Sequence, residues 1–435
     1  MLNIDTDACG IRGSTVLCAV SGGADSVCLL RLLIDRRDAG EIKLKAAHFE
    51  HGIRGEASRA DMEFVVELCR RYDVPLALGS AKVPEEAKKA HEGIEECARR
   101  LRHAFLEQER RRLHCNVIAL AHHNRDRAET VLMNLLRGSG MTGAAAMPMR
   151  DSEIVRPLIN VSPEEIRSYL TEIGQPFRED ETNFIPDNPR NALRLKVLPL
   201  LREIYPGCEQ ALGRFARIAE DEGQLLDVLT YNYIQMYAKR VAGIIVIQKE
   251  GNRTLMQRAV RRFLPASLGY DAVQRAIAAR DYADLGEGWR AWGDEHDLYL
   301  LPELNDPGEV PLSLYGHTEL TGICSIEVSP FPADPVRNNG PVQVLNAEAL
   351  RGAVVRLRRD GDRIEPYGMF EHSKSLGDYL TDRKVPLPLR DRLPVIAKGN
   401  EVLWVPKVGI SESAQVYASS AAVRLEIKIS EGKPL

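Results

Sequence analysis

The sequence predicts an α/β protein: a doubly wound, mainly parallel sheet, then a helical middle domain and a small α+β domain. Three observations lead to this fold class. Apolar strand-like runs alternate with amphipathic stretches over about the first 200 residues, which is the pattern of right-handed βαβ units. Helical periodicity with almost no proline or glycine follows between about residues 208 and 280. Short strands, two of them joined by a Gly399–Asn400 turn, come after about residue 342.

Four strands and four helices are predicted in the first part of the chain. The first strand, TVLCAV, is apolar from Val16 onward, so it is expected to be buried in the sheet. The helices repeat apolar residues at intervals of three or four, as a helix with one buried face does. The predicted strands are 15–20, 42–49, 74–78 and 117–121, and the predicted helices are 26–36, 59–71, 92–113 and 124–137.

Length and composition describe a chain of several folded domains. Its 435 residues exceed the usual size of one domain, and we predict three, with bounds 1–207, 208–335 and 336–435. A composition of 44% hydrophobic and 28% charged residues argues against general disorder. No apolar run approaches the roughly 18 residues of a membrane helix, and no basic-then-apolar block opens the chain. We therefore expect a cytoplasmic protein without membrane association.

The cysteine pattern and the net charge exclude several classes of protein. The eight cysteines form no CxxC pair, which indicates reduced thiols and neither a disulfide framework nor a zinc or iron–sulfur site. The net charge of −4 excludes a uniformly basic nucleic-acid binder. Residues 351–435 nevertheless carry 15 basic against 11 acidic residues, so a local cationic region is available for a phosphate backbone.

A glycine-rich turn, SGGADS at residues 21–26, joins the first predicted strand to the first predicted helix. Gly22 and Gly23 allow the backbone to approach an anion without a Cβ clash, and the helix N-terminus offers unpaired N–H groups. Ser21 and Ser26 add hydroxyl donors. No Walker A lysine follows the glycines. The turn predicts a phosphate site, although a serine-capped structural turn would use the same residues.

The hexapeptide after a buried strand resembles the PP-loop of the N-type ATP pyrophosphatases. Further segments are similar to motifs of the tRNA(Ile)-lysidine synthetases, and the similarity extends over essentially the whole chain. These segments are HFEHGIRGE at 48–56, EECARRLRHAF at 95–105, AHHNRDRAETVLMNLLRGSG at 121–140, and the stretches near 180–201 and 361–396.

The resemblance implies an ATP-dependent ligation. Lysine would be joined to carbon-2 of the wobble cytidine in the CAU anticodon of tRNA(Ile), through an adenylated cytidine, with release of AMP and pyrophosphate. ATP, Mg²⁺, free L-lysine and this tRNA are therefore the expected cofactors and substrates. The catalytic domain would take the anticodon loop and the C-terminal domains the acceptor stem. The sequence does not fix the oligomeric state, and a homodimer is compatible with it.

Asp126 and Glu129 are the predicted carboxylates of the reaction. They lie three residues apart at the start of a predicted helix, away from its apolar face and at the carboxyl end of the sheet. A lysine amine, with an ordinary pKa of about 10.4, arrives as ammonium and needs both a carboxylate partner and a base. First-turn acids also complement a helix dipole, so without the glycine-rich turn a structural role would be favoured.

The resemblance assigns the remaining site residues. Nucleotide binding is expected from Ser21, Gly22, Gly23, Ala24, Asp25, Ser26 and His48, with the His48 backbone placed to read the adenine edge. The catalytic residues are expected to be Asp25, Asp126, Glu129 and Arg102, and Asp25 is also the expected metal ligand. Contacts to tRNA or adenylate are expected from Arg99, Arg100, Arg190, Asn191 and Arg194. His51, His122 and His123 fit either a ligand role or a structural one.

The sequence departs from the family pattern at two positions. Arg125 occupies a position where the family commonly has a second acid, and Glu50 replaces a usual asparagine. With Arg125, this motif has one acid fewer than the family commonly has. The arginines at 99–112 also have a plain alternative, because a charge-rich helix is usually a solvated surface.

Three rival functions share parts of this pattern. A PP-loop tRNA sulfurtransferase would use the same adenylation, but it typically needs paired cysteines. An amide-forming PP-loop synthetase that uses ammonia would need no RNA-sized tail. A non-catalytic RNA-binding protein could retain the fold, but the intact SGGADS turn and the Asp126–Glu129 pair argue against it.

Overall fold

The computed structural model describes residues 2–52, 56–178, 189–331, 341–369, 372–417 and 420–429. By its internal contacts the chain divides into two compact units, Met1–Leu225 and Leu226–Leu435. Within the described ranges, no helix is both long enough and apolar enough to cross a membrane.

The first unit alternates strands and helices in the predicted order. Its strands are β1 (Thr15–Ala19), β2 (Lys43–Glu50), β3 (Leu76–Ser80), β4 (Val117–Ala119), β5 (Arg150–Asp151) and β6 (Ile154–Val155). Its helices are α1 (Ala24–Asp38), α2 (Glu56–Arg71), α3 (Val83–Ala90), α4 (Ile94–Arg112), α5 (Asn124–Leu136), α6 (Met141–Ala144), α7 (Pro163–Glu172), α8 (Pro189–Ala192) and α9 (Leu198–Ile204), with a π-helical turn, Leu193–Val197, before α9. All four predicted strands and all four predicted helices are confirmed, and their ends differ by no more than three residues.

The first sheet has the strand order β3-β2-β1-β4-β6-β5. Every pair is parallel except β5–β6, so the predicted mainly parallel sheet is confirmed. Helices α1, α2 and α7 pack on one face, and α4 covers the other. The strand order reverses between β1 and β4, and open α/β sheets bind their ligands in the crevice at such a reversal. The carboxyl ends of β1 and β4 therefore mark the place for a site.

Seven helices and strands of this unit were not predicted: α3, α6, α7, α8, α9, β5 and β6. Helix α3 has eight residues and begins with Val83-Pro84; proline fits a first helical turn, but it reads as a break in a single sequence. The β5–β6 ladder pairs two residues with two, which is too short to show an alternating pattern.

After α9 the chain contains two further groups of elements, and the division at residue 225 falls within the helix that opens the first of them. Helix α10 (Cys208–Tyr237) leads to β7 (Ala238–Val241), β8 (Ile244–Gln248), α11 (Arg253–Phe263), α12 (Tyr270–Ala278), β9 (Ala283–Gly286), β10 (Trp289–Gly293) and β11 (Asp297–Leu301). The later strands are β12 (Glu309–Pro311), β13 (Gly316–Leu320), β14 (Cys324–Phe331), β15 (Val342–Asn346), β16 (Val354–Leu357), β17 (Arg363–Ile364), β18 (Lys374–Ser375), β19 (Pro394–Lys398), β20 (Glu401–Val405), β21 (Gly409–Ile410) and β22 (Ala422–Ile429). The later helices are α13 (Ala347–Leu350), α14 (Leu376–Asp382) and α15 (Leu387–Arg390).

The middle of the chain requires a correction. Its predicted helices are present as α10 and α11, but a five-stranded antiparallel sheet, β7-β8-β11-β10-β9, accompanies them. The description of residues 208–335 as mostly helical is therefore wrong for residues 238–301. The strands have four or five residues each, and a run such as IIVI cannot be distinguished from a buried helix by periodicity alone.

The predicted boundary after residue 335 is also corrected. Strand β14 pairs along its whole length with β22, from Cys324–Ile429 to Phe331–Ala422, so a boundary after 335 would divide one sheet. Buried apolar residues form one cluster that extends as far as Leu300 and another that begins at Leu312. The structure therefore favours a boundary between β11 and β12, and the division into three domains itself stays a prediction.

One residue of the 361–396 segment, Asp362, belongs to a buried ion pair. Arg356 donates to Asp362 Oδ1 and Oδ2 at 2.7 and 2.9 Å, and the Arg359 amide donates to Asp362 Oδ2 at 2.7 Å. Both side chains of the pair are fully buried. Because removing one partner of such a pair leaves an uncompensated charge, Asp362 reads as a structural residue of the tail. The predicted turn at Gly399–Asn400 is confirmed between β19 and β20.

Candidate active site

The glycine-rich turn lies at the carboxyl end of β1, and Ser26 holds its shape. Ser26 Oγ accepts the N–H groups of Ser21 and Gly22, both at 3.1 Å, and donates to the Gly23 carbonyl at 3.0 Å. Gly22 has a φ of 97°, a region that favours glycine. Ser26 is buried, so the structure places its hydroxyl as an internal brace and not, as expected, as a donor to phosphate. The N–H groups of the first turn of α1, which begins at Ala24, remain for an anion.

His48 supports the strand that leads into this turn. Its Nδ1 lies 2.8 Å from the Val20 carbonyl oxygen, and since a carbonyl only accepts, Nδ1 carries the proton. The side chain is buried, and its Nε2 has no hydrogen-bond partner among the described residues. His48 thus packs beneath the turn, and a contact of its backbone with adenine stays a prediction.

Two carboxylates and two arginines meet at the start of α5. Arg190 Nε donates to Glu129 Oε2 at 2.7 Å and its Nη2 to Asp126 Oδ1 at 2.9 Å. Arg194 Nε donates to Glu129 Oε1 at 2.6 Å and its Nη2 to Glu129 Oε2 at 3.0 Å. Glu129 is fully buried and Asp126 nearly so. Residues more than 60 positions apart in the chain thus form one compact cluster, called here the acid–arginine cluster.

The charges of the acid–arginine cluster balance one another. Burial would raise the pKa of Asp126, but the neighbouring His123 and Arg190 outweigh it and lower the pKa below its ordinary value. Burial would lower the pKa of Arg194, but its hydrogen bond to Glu129 raises it overall. Arg194 lies in the π-helical turn, and such turns are frequent at functional sites. Asn191 is half-buried in α8, between the two arginines in sequence.

His123 connects this cluster to the glycine-rich turn. It caps α5: the Asp126 amide donates to His123 Nδ1 at 3.4 Å, and the His123 amide donates to Asp126 Oδ2 at 3.1 Å. Its Nε2 lies 3.7 Å from Asp25 Oδ2. Burial raises the pKa of Asp25, and Asp126 adds to this while His123 opposes it. Three of the predicted acids, Asp25, Asp126 and Glu129, are therefore within one site.

The arginines of α4 that were predicted as site residues differ in their partners and in their exposure. Arg100 Nε donates to Glu92 Oε1 at 3.1 Å, and its Nη2 also contacts that carboxylate, so the structure pairs it with an acid at the surface. Arg99 is exposed, whereas Arg102 is half-buried. Burial lowers the pKa of Arg102, and Arg99 lowers it further.

The arginine that departs from the family pattern leaves the acid–arginine cluster unchanged. Arg125 Nη2 donates to Glu164 in α7 at 2.6 Å, and its Nε donates to Glu209 in α10 at 3.0 Å. Its positive charge is therefore compensated outside the cluster. The departure removes one acid from the site without placing a cation in it.

Arg156 is a residue that sequence reasoning missed. It follows β6 directly, is 9% exposed, and donates from Nη1 to the Pro148 carbonyl at 2.9 Å. Its Nε has no partner among the described residues. An arginine immediately after an apolar strand, in EIVRP, was the available signal.

The fit of the expected metal can be tested on the same residues. Within the described ranges, no group of three or more His, Cys, Asp or Glu side chains could hold a metal ion. Mg²⁺ is usually bound by one or two carboxylates together with substrate phosphates. Asp25, whose side chain is 43% exposed beside the glycine-rich turn, fits that pattern.

The buried cysteines are unsuited to sulfur transfer. All eight lie in described ranges and are free thiols, and every one except Cys208 is buried. Burial raises the pKa of Cys9 to about 11 and the pKa of Cys28 to about 12. Such thiols stay protonated near neutral pH and are poor nucleophiles.

The fold and this site define an ATP-binding domain of the PP-loop class, and a family model described as PP-loop domain matches residues 5–201. A second model, described as TilS substrate C-terminal domain, matches residues 353–427. The tRNA(Ile)-lysidine synthase of Symbiobacterium thermophilum is 35% identical, over 91% of this chain and 90% of its own. That of Bacteroides thetaiotaomicron is 34% identical, over 90% of this chain and 89% of its own. The chain belongs to the tRNA(Ile)-lysidine synthase family, as its motifs predicted.

His122 gives the structure a pH-dependent stability. Burial lowers its pKa to about 4, Asp126 opposes this, and Arg156, Arg190 and Arg102 add to it. The ordinary value is 6.5, so between pH 6.5 and 4 the unfolded chain binds a proton that the folded chain does not. The folded state therefore loses stability as the pH falls through this window, by up to about 3 kcal/mol, and loses no more from this group below pH 4.

We expect His122→Gln to remove this component. Urea unfolding at pH 7.5 and pH 5 should show a smaller loss of unfolding free energy for the variant than for the wild type. His372→Gln, at an exposed position, is the control and should lose as much as the wild type. An equal loss in wild type and His122→Gln would show that the ring is protonated in the folded state.

Proposed function

We propose that the protein joins lysine to carbon-2 of the wobble cytidine in the CAU anticodon of tRNA(Ile), after ATP has activated that cytidine. The observation that carries the proposal is the acid–arginine cluster beside the glycine-rich turn, with His123 between them. The glycine-rich turn suits a triphosphate, and the acid–arginine cluster suits an ammonium group. Membership of the tRNA(Ile)-lysidine synthase family supports the same reaction.

The first step is adenylation of the cytidine. The N–H groups at the start of α1 bind the phosphates that leave as pyrophosphate, while Ser26 keeps the turn in shape for them. The oxygen on carbon-2 of the base attacks the α-phosphorus of ATP. Asp25 is the proposed ligand of Mg²⁺, which would neutralise phosphate charge.

The second step is attack by the lysine amine on carbon-2, with AMP as the leaving group. Asp126 and Glu129 are the proposed partners of the lysine ε-ammonium, and one of these two carboxylates is the proposed acceptor of the proton that the nitrogen loses before it attacks. In the structure their oxygens accept hydrogen bonds from Arg190 and Arg194, so the ammonium takes the place of part of these bonds. The guanidinium groups released in this exchange are then available to the phosphate of the adenylate.

A PP-loop tRNA sulfurtransferase is the alternative function. It would need a nucleophilic thiol or a cluster ligand at the site. The buried cysteines with raised pKa values described above argue against it, and the acid–arginine cluster would have no role in sulfur transfer.

One assay separates the two. The protein is incubated with isoleucine tRNA bearing a CAU anticodon, Mg-ATP and labelled lysine. We expect AMP release that depends on lysine, with label in the RNA, and none with the methionine tRNA of the same anticodon. Label from a sulfur donor, or AMP release without lysine in the RNA, would contradict the proposal.

A further inference from the structure

Three arginines beside the site have no acidic partner. Helix α4 also carries Arg110, Arg111 and Arg112, and each of these is paired with a glutamate three or four residues away. Arg99 and Arg102 of the same helix form no ion pair with any described acid. Arg156, after β6, likewise forms none in the described ranges. Arg99, Arg102 and Arg156 are called here the unpaired arginine group.

A hydrogen bond holds the Arg156 side chain in place, but no ion pair neutralises its charge. Its Nη1 donates to the Pro148 carbonyl, which fixes the guanidinium but removes no charge, and its Nε is buried without a partner. Burial lowers its pKa, Asp151 opposes this, and Arg99 and Arg127 lower it further. Asp151 is thus the largest single charge effect on Arg156, but it forms no ion pair with Arg156 in the described ranges.

Like charges that share a half-buried site repel one another and lose hydration, and both effects cost stability. A structural arginine normally avoids this cost by pairing with an acid, as Arg110 to Arg112 do. An anion from outside the chain would remove the repulsion and satisfy the open donors. The unpaired arginine group thus has the properties of an anion subsite.

The subsite lies on a different side of the sheet from the triphosphate. The glycine-rich turn leads into α1, which packs on one sheet face with α7, whereas α4 packs on the opposite face. Strand β6 is separated from β1 by β4, a distance of about 10 Å at ordinary strand spacing. His122, which follows β4, feels both Arg102 and Arg156 as well as Asp126, so the group borders the acid–arginine cluster.

We propose that Arg99, Arg102 and Arg156 bind the phosphodiester group of the RNA strand next to the reacting cytidine. The inference rests on the proposed function, because it takes the cytidine to react at the acid–arginine cluster. A base that reacts outside its stack must have its own backbone held nearby, and the planar guanidinium fork matches phosphate oxygens in two-point contact. The graded exposure, from exposed Arg99 to buried Arg156, suits a phosphate that enters from solvent.

The test uses a neutral phosphate analogue in the RNA. Isoleucine CAU tRNA is prepared with a single methylphosphonate linkage 5′ of the wobble cytidine, 3′ of it, or in the T arm. With the full-length wild type we expect one anticodon linkage to lower kcat/KM for tRNA by about 10- to 100-fold, and the T-arm linkage to change it little.

With natural tRNA, the variants Arg102→Met and Arg156→Met should lose a similar factor in kcat/KM for tRNA. With the tRNA whose methylphosphonate linkage lowers the wild-type value, these variants should show no additional loss. Their KM for ATP should stay within about threefold of the wild type, and their stability should not fall, since a repelled charge has been removed. Arg111→Met, which removes an exposed and paired arginine, should respond to the linkage as the wild type does.

If the loss of kcat/KM caused by the linkage and the loss caused by the variant multiply, the inference is wrong. It is also wrong if the variants raise the KM for ATP and neither anticodon linkage has an effect, because that result would place ATP phosphate at the subsite. If Arg156→Met does not fold, the half-exposed Arg102→Met decides alone. A wild type that transfers no lysine to natural tRNA would instead contradict the proposed function, so the two failures are distinct.

Discussion

Asp126→Asn is expected to reduce lysine transfer by at least about 10³-fold while leaving tRNA affinity nearly unchanged. The substitution removes a negative charge from a buried cluster in which Arg190 and Arg194 otherwise balance two carboxylates. The ammonium of lysine would then meet an excess of positive charge. Transfer is measured with labelled lysine, and affinity by filter binding of tRNA.

A matched variant separates chemistry from helix capping. Asp126 also completes the cap of α5, and Glu165 has the same capping role with Ser162 in α7, away from the acid–arginine cluster. Glu165→Gln should lower stability by about 1 kcal/mol or less and leave transfer unchanged. If tRNA affinity collapsed in Asp126→Asn, the assignment of tRNA binding to other surfaces would be wrong.

Gly22→Ala is expected to raise the KM for ATP by about 10²-fold or more. A Cβ at this position would meet Val65 at 3.5 Å and Phe64 at 3.6 Å, which is ordinary contact, so space is not the obstacle. The obstacle is the φ of 97°, which an alanine rarely adopts. If the backbone relaxes, the Ser21 and Gly22 amides lose their bonds to Ser26, and the turn loses its shape.

Gly13→Ala supplies the control. Gly13 has a φ of 76° with open space around its Cβ position, but it precedes β1 and so lies at the opposite edge of the sheet. Strain of about 1–2 kcal/mol is expected there as well, with an unchanged KM for ATP. An equal rise in KM for both variants would attribute the effect to general destabilisation and not to the phosphate site.

Local pattern was sufficient to predict the strands β1 to β4 and the helices α1, α2, α4 and α5. Strand β1 is apolar from Val16 onward and is followed by glycines and a helix, so its burial and the site at its carboxyl end could both be read from the sequence. Asp126 and Glu129 could be placed together because helical spacing is fixed. The family resemblance assigned Arg190 and Arg194 to tRNA or adenylate. Their contacts with these two carboxylates were not predicted, since no local rule links residues more than 60 positions apart.

Some contacts of long side chains could not be predicted from the sequence. Arg100 has Glu92 eight residues earlier as its partner, a distance in sequence set by the α3–α4 connection and not by helical spacing. Arg156 was overlooked because its one sequence signal, an arginine directly after an apolar strand, does not by itself indicate burial. The sheet of β7 to β11 was missed because its strands are short. Three of its pairings are local hairpins, and only β8–β11 joins distant residues.

The bonds that Ser26 makes within the turn also bear on nucleotide affinity. A flexible loop must be ordered by its ligand, and that ordering subtracts from the binding free energy. Here a single hydroxyl already ties Ser21, Gly22 and Gly23 together, so the cradle exists before ATP arrives. Tight recognition of pyrophosphate can therefore come from pre-organisation of a few amides, without a lysine of the Walker type.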